Sequence, residues 1–286
     1  MERGGGGMTI QVAVMNGYGV AMASDRHVFR GTDARSTGQE VKLLRLRGVV
    51  PAAMMLAGPF AMFGLPAARL ALRLERALDA AGSGAEVLAE AVLQALAEPF
   101  DGPVMESPAA TASQTVDAVS RAPSSELYLM VGVVCPQTGV PALLSLRMCG
   151  GEANRLKVTS RLDAPYEVAW RAGRTVVTAQ GTGRALVEAM VDGVAEEHWC
   201  GLAPAARKAL RPAMEARWDR AHATLGVASP RELAAVASGL VRGAEVLGFL
   251  TREAEATVAE VDWILLTPRE VLSDSLGPGP AQRVLA

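Results

Sequence analysis

Short apolar runs separated by turn residues open the chain and predict antiparallel strands. Residues 9–14 (TIQVAV) and 19–24 (GVAMAS) flank the tetrapeptide Asn-Gly-Tyr-Gly. Asn-Gly followed by a second glycine supplies the positive φ angles that a tight hairpin needs. A second strand pair is predicted at 42–46 and 52–56, with an Arg-Gly turn between its strands. The N-terminal part of the chain is therefore expected to form two hairpins.

The hydrophobic period then changes from that of strands to that of helices. Between residues 65 and 81, leucines recur at helical spacing while arginines mark the opposite face, and a second helix is predicted at 85–98. Ser229, Pro230 and Glu232 form the sequence signature of a capping box at the start of a later helix. The remaining elements are predicted in this order: strands at 126–134, 141–148, 166–170 and 175–179, helices at 181–197, 203–224 and 229–250, and a strand at 261–267.

The order of these elements predicts the fold class. Strands come in blocks and helices in pairs, without the alternating βαβ units of a parallel sheet. Such an order favours a layered α+β fold with helices outside two stacked sheets. We expect residues 1–8 (MERGGGGM) to be a leader or a mis-assigned start, absent or disordered. Residues 9–270 are expected to form a single domain, and 271–286 a Pro/Gly-rich tail.

Composition and charge exclude several classes of function. Half of the 286 residues are hydrophobic, 20% are charged and the net charge is −2. Nucleic-acid binding and polybasic membrane binding are not expected, because both need a concentrated positive field. The three cysteines form no CxxC motif and the histidines have no metal-ligand spacing, so we predict no metal, no cofactor and a reducing, cytoplasmic setting.

The first hairpin brings a hydroxyl close to a carboxylate. If the turn centres on residues 17 and 18, paired residues sum to about 35, and Thr9 lies opposite Asp25 or Arg26. Thr9 follows Met8, a potential start site, and trimming of that methionine exposes the threonine amine. A free α-amine has a pKa near 8 and can take the hydroxyl proton as general base. Thr9 is therefore a candidate nucleophile.

Two further residues fit the same chemistry. Lys42 shares a strand face with leucines, and a buried lysine must be paired or have its pKa lowered. A partner at Asp25 satisfies both side chains, and a positive charge beside Thr9 depresses the pKa values of its hydroxyl and amine. Gly58 follows the second hairpin in LAGPF, where a backbone N–H can face a developing oxyanion.

In this order the residues resemble the proteasome β-subunit family of N-terminal-nucleophile hydrolases, including bacterial Anbu-type and two-ring ATP-partnered relatives. The segments that carry the resemblance are TIQVAVMNGYGVAMASDR, Gly31, VKLLRL and MLAG. It implies a four-layer αββα sandwich and a threonine-type endopeptidase. Thr9 is then the nucleophile, Asp25 and Lys42 its catalytic partners, and Gly58 the oxyanion donor.

The resemblance also implies supporting residues and partners. Thr182 occupies the place of a serine near the nucleophile's amine, and Val28, Leu56 and Phe60 line an apolar substrate pocket. The expected substrate is a peptide or an unfolded protein. A homo-oligomeric ring is implied, while an ATPase partner stays an open question; neither nucleic acid nor membrane is an expected partner.

Other interpretations stay open. Thr9 can be the first residue of a strand, Asp25 and Arg26 a strand-end salt bridge, Lys42 an edge residue and Gly58 a helix-start turn. The family's Asp-x-x-Ser-Gly-Gly segment is replaced by TREAEATVAEVDW. The alternatives are a catalytically inactive ring or scaffold subunit, and a specialised amidase or ligase of the same fold.

Overall fold

The structure is a computed structural model of the chain. Within the residues that it describes, the chain is a mixed α+β protein with two five-stranded antiparallel sheets, a short two-stranded sheet and six helices. The described residues are 10–29, 37–39, 41–57, 67–97, 126–150, 156–160, 175–181, 184–193, 196–250 and 260–276.

The first sheet contains the predicted N-terminal hairpin at its centre. Strand β1 (Gln11–Asn16) pairs with β2 (Gly19–Asp25) in the register Gln11 opposite Ser24. The other three strands are β10 (Val176–Gln180), which pairs with β1, and β11 (Val261–Leu266) followed by β12 (Val271–Leu276) on the side of β2. Paired residues of β1 and β2 sum to 35, which confirms the predicted register.

The second sheet runs in chain order, each strand antiparallel to the next. Its strands are β5 (Leu43–Leu46), β6 (Ala52–Ala57), β7 (Glu126–Val134), β8 (Pro141–Gly150) and β9 (Leu156–Ser160). Short turns join β5 to β6 and β7 to β8, whereas helices α1 (Ala67–Ala80) and α2 (Ala85–Ala97) lie in the connection from β6 to β7. The two-stranded sheet lies between the first two hairpins along the chain and comprises β3 (His27–Phe29) and β4 (Thr37–Gln39).

The six described helices fall in two groups along the chain. Helices α1 and α2 precede β7, whereas α3 to α6 lie between β10 and β11. None of the helices in the described ranges combines the length and the apolar character that crossing a membrane requires. The helices are α1 (Ala67–Ala80), α2 (Ala85–Ala97), α3 (Arg184–Asp192), α4 (Glu196–Gly201), α5 (Pro204–Gly226) and α6 (Pro230–Leu250).

Three clusters of buried side chains hold these elements together. One joins α1 and α2 to the second sheet, and another joins α3 and α6 to the first sheet. The third contains side chains of both sheets, among them Met15, Met22 and Met130. The alternation of strand side chains produces this division, since Val12 and Val14 belong to the helix-facing cluster while Ala13 and Met15 face the second sheet.

A glycine permits the close approach of the two sheets. A Cβ atom at Gly132 in β7 would lie 2.9 Å from Met22 Sδ and 3.1 Å from Val20 Cγ1. Both contacts are shorter than van der Waals packing allows, so the absence of a side chain at Gly132 sets the spacing here.

Most predicted elements are confirmed, but several differ, and strands β3 and β4 and helix α4 were not expected. Residues 271–286 were expected to be a tail, whereas Val271–Leu276 form edge strand β12, joined to β11 by a turn in which Thr267 N donates to Glu270 O at 3.0 Å. Strand β9 was not expected. The helix predicted at 181–197 ends at Asp192, because Gly193 adopts the left-handed conformation that terminates helices (φ 89°). The strand expected at 166–170 lies outside the described residues.

Candidate functional site

The carboxylate of Asp25 is bound to the backbone at the start of β1. Ile10 N donates to Asp25 Oδ1 at 2.9 Å, and Asp25 N donates to Ile10 O at 3.1 Å. The second bond continues the β1–β2 ladder by one pair, so the hairpin register itself brings Asp25 to this position. The carboxylate therefore lies beside the residue that directly follows Thr9.

Lys42 reaches Asp25 from the second sheet. Lys42 Nζ lies 3.0 Å from Asp25 Oδ1, with side chains that are 10% and 1% exposed. An isolated ammonium or carboxylate at such burial is costly, and charge-assisted hydrogen bonds offset that cost. The expectation that a buried Lys42 pairs with Asp25 is confirmed. One carboxylate oxygen thus accepts from both Lys42 and the backbone of Ile10.

Strand β6 ends against the same group of residues. Leu56 N donates to Lys42 O at 3.1 Å, and Leu56 O accepts a bond of 2.6 Å from Gln11 Nε2. The Leu56 side chain is buried in the cluster that faces α1 and α2, so the structure makes it a core residue where the sequence predicted a pocket wall. Strand alternation turns this side chain away from the first sheet.

The remaining predicted site residues are only partly covered. Val28 belongs to strand β3. Thr9, Gly58, Phe60 and Thr182 lie outside the described residues. Of the predicted catalytic set, the structure therefore brings Asp25 and Lys42 together.

Arg26 takes part in a different network from its neighbour Asp25. Its guanidinium donates to Asp262 from Nε at 2.8 Å and from Nη2 at 2.6 Å, and it also binds Glu260 and Ser275 Oγ. The hydrogen bond to Asp262 is the largest cause of the raised pKa of Arg26, against the lowering effect of burial. The strand-end salt bridge considered between Asp25 and Arg26 is therefore not formed: Asp25 pairs with Lys42, and Arg26 pairs with Asp262 and Glu260.

Two glutamines near the site were not predicted from the sequence. Gln11 and Gln180 are paired across β1 and β10, and both are buried. Gln180 Nε2 donates to Ser145 Oγ on β8 at 2.6 Å, as Gln11 does to Leu56 O on β6. The available signal was a glutamine at one end of each of two mainly apolar strands (QVAVMN and VVTAQ).

Metal binding has no support among the described residues. In the ranges that the structure covers, no group of three or more His, Cys, Asp or Glu side chains is arranged to hold an ion. The charges at the site are those of Asp25 and Lys42, together with Arg26, Glu260 and Asp262 at the adjoining strand ends. This arrangement holds the Lys42 ammonium against the Asp25 carboxylate, which is itself bound to the backbone at the start of β1.

Comparisons with known proteins give weak likenesses only. No family model and no curated protein matches the chain. Among solved structures, the helical assembly of the Anbu complex from Pseudomonas aeruginosa has a TM-score of 0.46 at 12% identity, covering 93% of this chain and 85% of that one. Anbu (ancestral beta-subunit) from Yersinia bercovieri has a TM-score of 0.41 at 12% identity, covering 92% and 86%. Likeness at these TM-scores establishes neither a shared fold nor a shared function.

Proposed function

We propose that the protein is a threonine-type peptidase with Thr9 as its N-terminal nucleophile. The observation that carries the proposal is the buried ion pair of Lys42 and Asp25, bound to the backbone N–H of Ile10. The Lys42 ammonium is held by the carboxylate that binds Ile10, the residue after Thr9 in the chain, and is proposed to supply the positive charge that an N-terminal nucleophile needs. The substrate is a peptide or an unfolded protein.

The proposed reaction has two steps. Thr9 Oγ attacks the scissile carbonyl carbon while the threonine α-amine takes the hydroxyl proton as general base. The Gly58 N–H donates to the resulting oxyanion. The proton then passes to the leaving amine, which departs and leaves an ester on Thr9. A water molecule, deprotonated by the same amine, hydrolyses this ester and regenerates the free hydroxyl.

The described residues have defined tasks in this reaction. Lys42 favours the deprotonated forms of the nearby amine and hydroxyl through its charge. Asp25 holds Lys42 in place and keeps it ionised, because the carboxylate favours the charged form of the ammonium. The bond from Ile10 N to Asp25 Oδ1 fixes the start of β1 relative to that pair. The reaction needs no cofactor.

The proposal includes the finer fold and the supporting residues. We propose a four-layer αββα sandwich formed as one domain from residue 9 onwards, which the three buried clusters support, one on each side of the two sheets and one between them. We propose a role for Thr182 near the amine of Thr9; strand β10 ends at Gln180, which is paired with Gln11 and precedes Thr182 by two residues in the chain. Val28 and Phe60 are proposed to line the substrate pocket.

A cytoplasmic homo-oligomer completes the proposal. Helix α5 has no buried residue, and Leu210 and Trp218 on it are 44% and 50% exposed. Exposed apolar side chains along one helix are typical of surfaces that associate. A second copy of the chain is the proposed occupant, and the sequence and structure together support no statement on an ATPase.

The experiment compares Thr9→Ala and Thr9→Ser with the wild type. Each protein is expressed from its native context, its N-terminus is determined by intact mass and sequencing, and its cleavage of a set of unrelated fluorogenic peptides is measured. We expect the wild type to begin at Thr9 and to cleave several peptides, Thr9→Ser to retain activity, and Thr9→Ala to lose it. Thr224→Ala, on the exposed side of α5, is the control and should stay fully active.

Three outcomes would contradict the proposal. Activity that persists in Thr9→Ala shows that another group is the nucleophile. A wild-type product that retains Met8 has no free threonine amine to act as base, and this result favours the inactive ring or scaffold subunit. Cleavage confined to a single peptide favours the specialised amidase or ligase.

A further inference from the structure

The side chain of Gln11 crosses from the first sheet to the second. Along β1 it shares its face with Ala13 and Met15, which belong to the cluster between the sheets, and it is 0% exposed. Its Nε2 donates to Leu56 O at 2.6 Å, a bond between residues 45 apart in the chain. Gln11 thus links the end of β6 to the start of β1.

This bond closes a circuit of polar contacts around the Lys42–Asp25 pair. Gln11 binds Leu56 O, Leu56 N binds Lys42 O, Lys42 Nζ binds Asp25 Oδ1, and Asp25 Oδ1 also accepts from Ile10 N. Ile10 is joined to Gln11 by a peptide bond, so the circuit returns to its first residue. Each hydrogen bond has a donor–acceptor distance between 2.6 and 3.1 Å.

The use of the Gln11 carboxamide to link the two sheets carries a cost in free energy. Its Oε1 is buried and finds no hydrogen-bond partner in the described part of the chain. A buried acceptor left unpaired offsets most of what the Nε2 bond contributes to stability. An apolar side chain of equal size suits a core position better, so stability alone does not account for a glutamine here.

We propose that Gln11 is a positioning residue for the reaction proposed above, on which this inference rests. The bond from Gln11 Nε2 to Leu56 O holds the end of β6, and through Leu56 N the backbone of Lys42, in register with the start of β1. Lys42 directly precedes β5 of the second sheet, whereas β1 belongs to the first sheet. Their relative position therefore depends on a link between the sheets, and a displacement of about 1 Å can lower a rate by about 100-fold.

Ser145 offers a matched control within the same sheet interface. Gln180 Nε2 donates to Ser145 Oγ at 2.6 Å, a second link between the sheets formed by the residue paired with Gln11. Ser145 lies on β8, which is separated from β6 by β7. Its bond to Gln180 is not one of the bonds that join Gln11, Leu56, Lys42 and Asp25. Ser145→Ala removes this link and leaves the circuit intact.

The experiment measures kcat and KM for a fluorogenic peptide in the full-length processed protein and its Gln11→Met and Ser145→Ala variants. Methionine matches the size of glutamine and has no N–H donor. We expect Gln11→Met to fold with a thermal midpoint near that of the wild type, to lose about 100-fold in kcat and to keep its KM. Ser145→Ala should keep both constants.

A second variant, Gln11→Glu, gives a pH dependence of kcat that a purely structural role of Gln11 would not produce. In Gln11→Glu the ionised carboxylate presents only acceptors to Leu56 O, whereas the protonated acid regains a donor. We expect kcat of Gln11→Glu, divided by that of the wild type at the same pH, to rise as pH falls through the titration of this carboxyl. This variant also provides the test if Gln11→Met does not fold.

The failure of this inference differs from the failure of the proposed function. If the wild type cleaves peptides and Gln11→Met has an unchanged kcat, or Ser145→Ala loses as much, Gln11 has no positioning role. A pH-independent kcat ratio for Gln11→Glu likewise excludes that role. If the wild type itself neither cleaves peptides nor is acylated at Thr9, the proposed function fails, and this inference fails with it.

Discussion

Lys42 Nζ lies 3.0 Å from Asp25 Oδ1 and joins the two sheets of the protein through a buried ion pair. The lysine immediately precedes β5, and the aspartate is the last residue of β2. The same carboxylate oxygen accepts from Ile10 N at 2.9 Å. The Lys42 ammonium is therefore linked through Asp25 to the backbone of Ile10, directly before β1.

Replacing Lys42 by alanine tests its role directly. In the proposed mechanism Lys42→Ala removes the charge that favours the nucleophile, so we expect peptide cleavage to fall by at least about 100-fold while oligomeric assembly is retained. Lys208→Ala, on the exposed surface of α5, is the matched control and should keep full activity. An unchanged cleavage rate in Lys42→Ala would rule out the proposed role of Lys42.

The stability of the same variants separates structure from chemistry. Removal of Lys42 leaves the buried Asp25 carboxylate without its cation, and breaking such a pair costs about 3–5 kcal/mol. The double variant Lys42→Met with Asp25→Asn removes both charges and should recover most of this loss, as measured by urea unfolding. It should nevertheless stay inactive. Recovery of activity together with stability would mean that the pair serves folding alone.

The close approach of the sheets predicts a strong effect at Gly132. A Cβ atom there would lie 2.9 Å from Met22 Sδ and 3.2 Å from Leu266 Cδ1, so Gly132→Ala forces side chains apart. We expect a loss of about 1–3 kcal/mol in the free energy of unfolding. Gly239→Ala, in the middle of helix α6 with nothing within 4 Å of the added atom, should instead stabilise by about 0.5–1 kcal/mol. Equal effects at the two glycines would contradict the sheet spacing described above.

The raised pKa of Asp192 predicts that the stability of the protein depends on pH. Burial is the largest cause of its raised pKa; Glu188 adds to the effect, while His222 and Arg217 oppose it. A raised carboxyl pKa in the folded state stabilises the protein below the ordinary value of 3.8, and this contribution is lost as pH rises through the folded-state pKa. At neutral pH the ionised Asp192 therefore destabilises the fold.

The variant Asp192→Asn removes the charge and should raise the thermal midpoint at pH 7, with the gain shrinking as pH falls through the raised folded-state pKa of Asp192 and lost below the ordinary value of 3.8. Asp192 lies at the C-terminal end of α3, where a negative charge opposes the helix dipole. The dipole therefore also predicts that removing this charge raises the thermal midpoint. Asp219→Asn, on the exposed surface of α5, should change the midpoint little. A lower midpoint for Asp192→Asn at pH 7 would contradict this interpretation.

The local part of the fold could be predicted from the sequence. The register of β1 and β2 was predicted from the position of the Asn-Gly turn, although neither Gly17 nor Gly19 adopts the positive φ expected there. The capping box at Ser229 is formed by two reciprocal bonds with Glu232, of 2.7 and 3.4 Å. The cost of burying an ammonium was sufficient to predict that Lys42 pairs with Asp25. These features depend on neighbouring residues or on a single strong energetic requirement.

The features that could not be predicted depend on contacts between distant segments. Gln11 finds Leu56 only after the two sheets have packed, and Arg26 finds Asp262 across 236 residues of chain. Strand β12 is a polar edge strand whose partner, β11, supplies the apolar face, so its serines and aspartate gave no strand pattern. The four-layer arrangement and the roles of Thr9, Gly58 and Thr182 stay predictions.

The most direct test of the proposed mechanism is to map the acyl group on the protein during turnover. The processed wild type is mixed with an activated peptide ester, quenched in acid, digested and analysed by tandem mass spectrometry, with Thr9→Ala treated in parallel. The mechanism predicts a peptide ester on the hydroxyl of an N-terminal Thr9, absent from Thr9→Ala. An adduct on another residue, or an unmodified N-terminal Thr9 in a protein that still cleaves peptides, would contradict it.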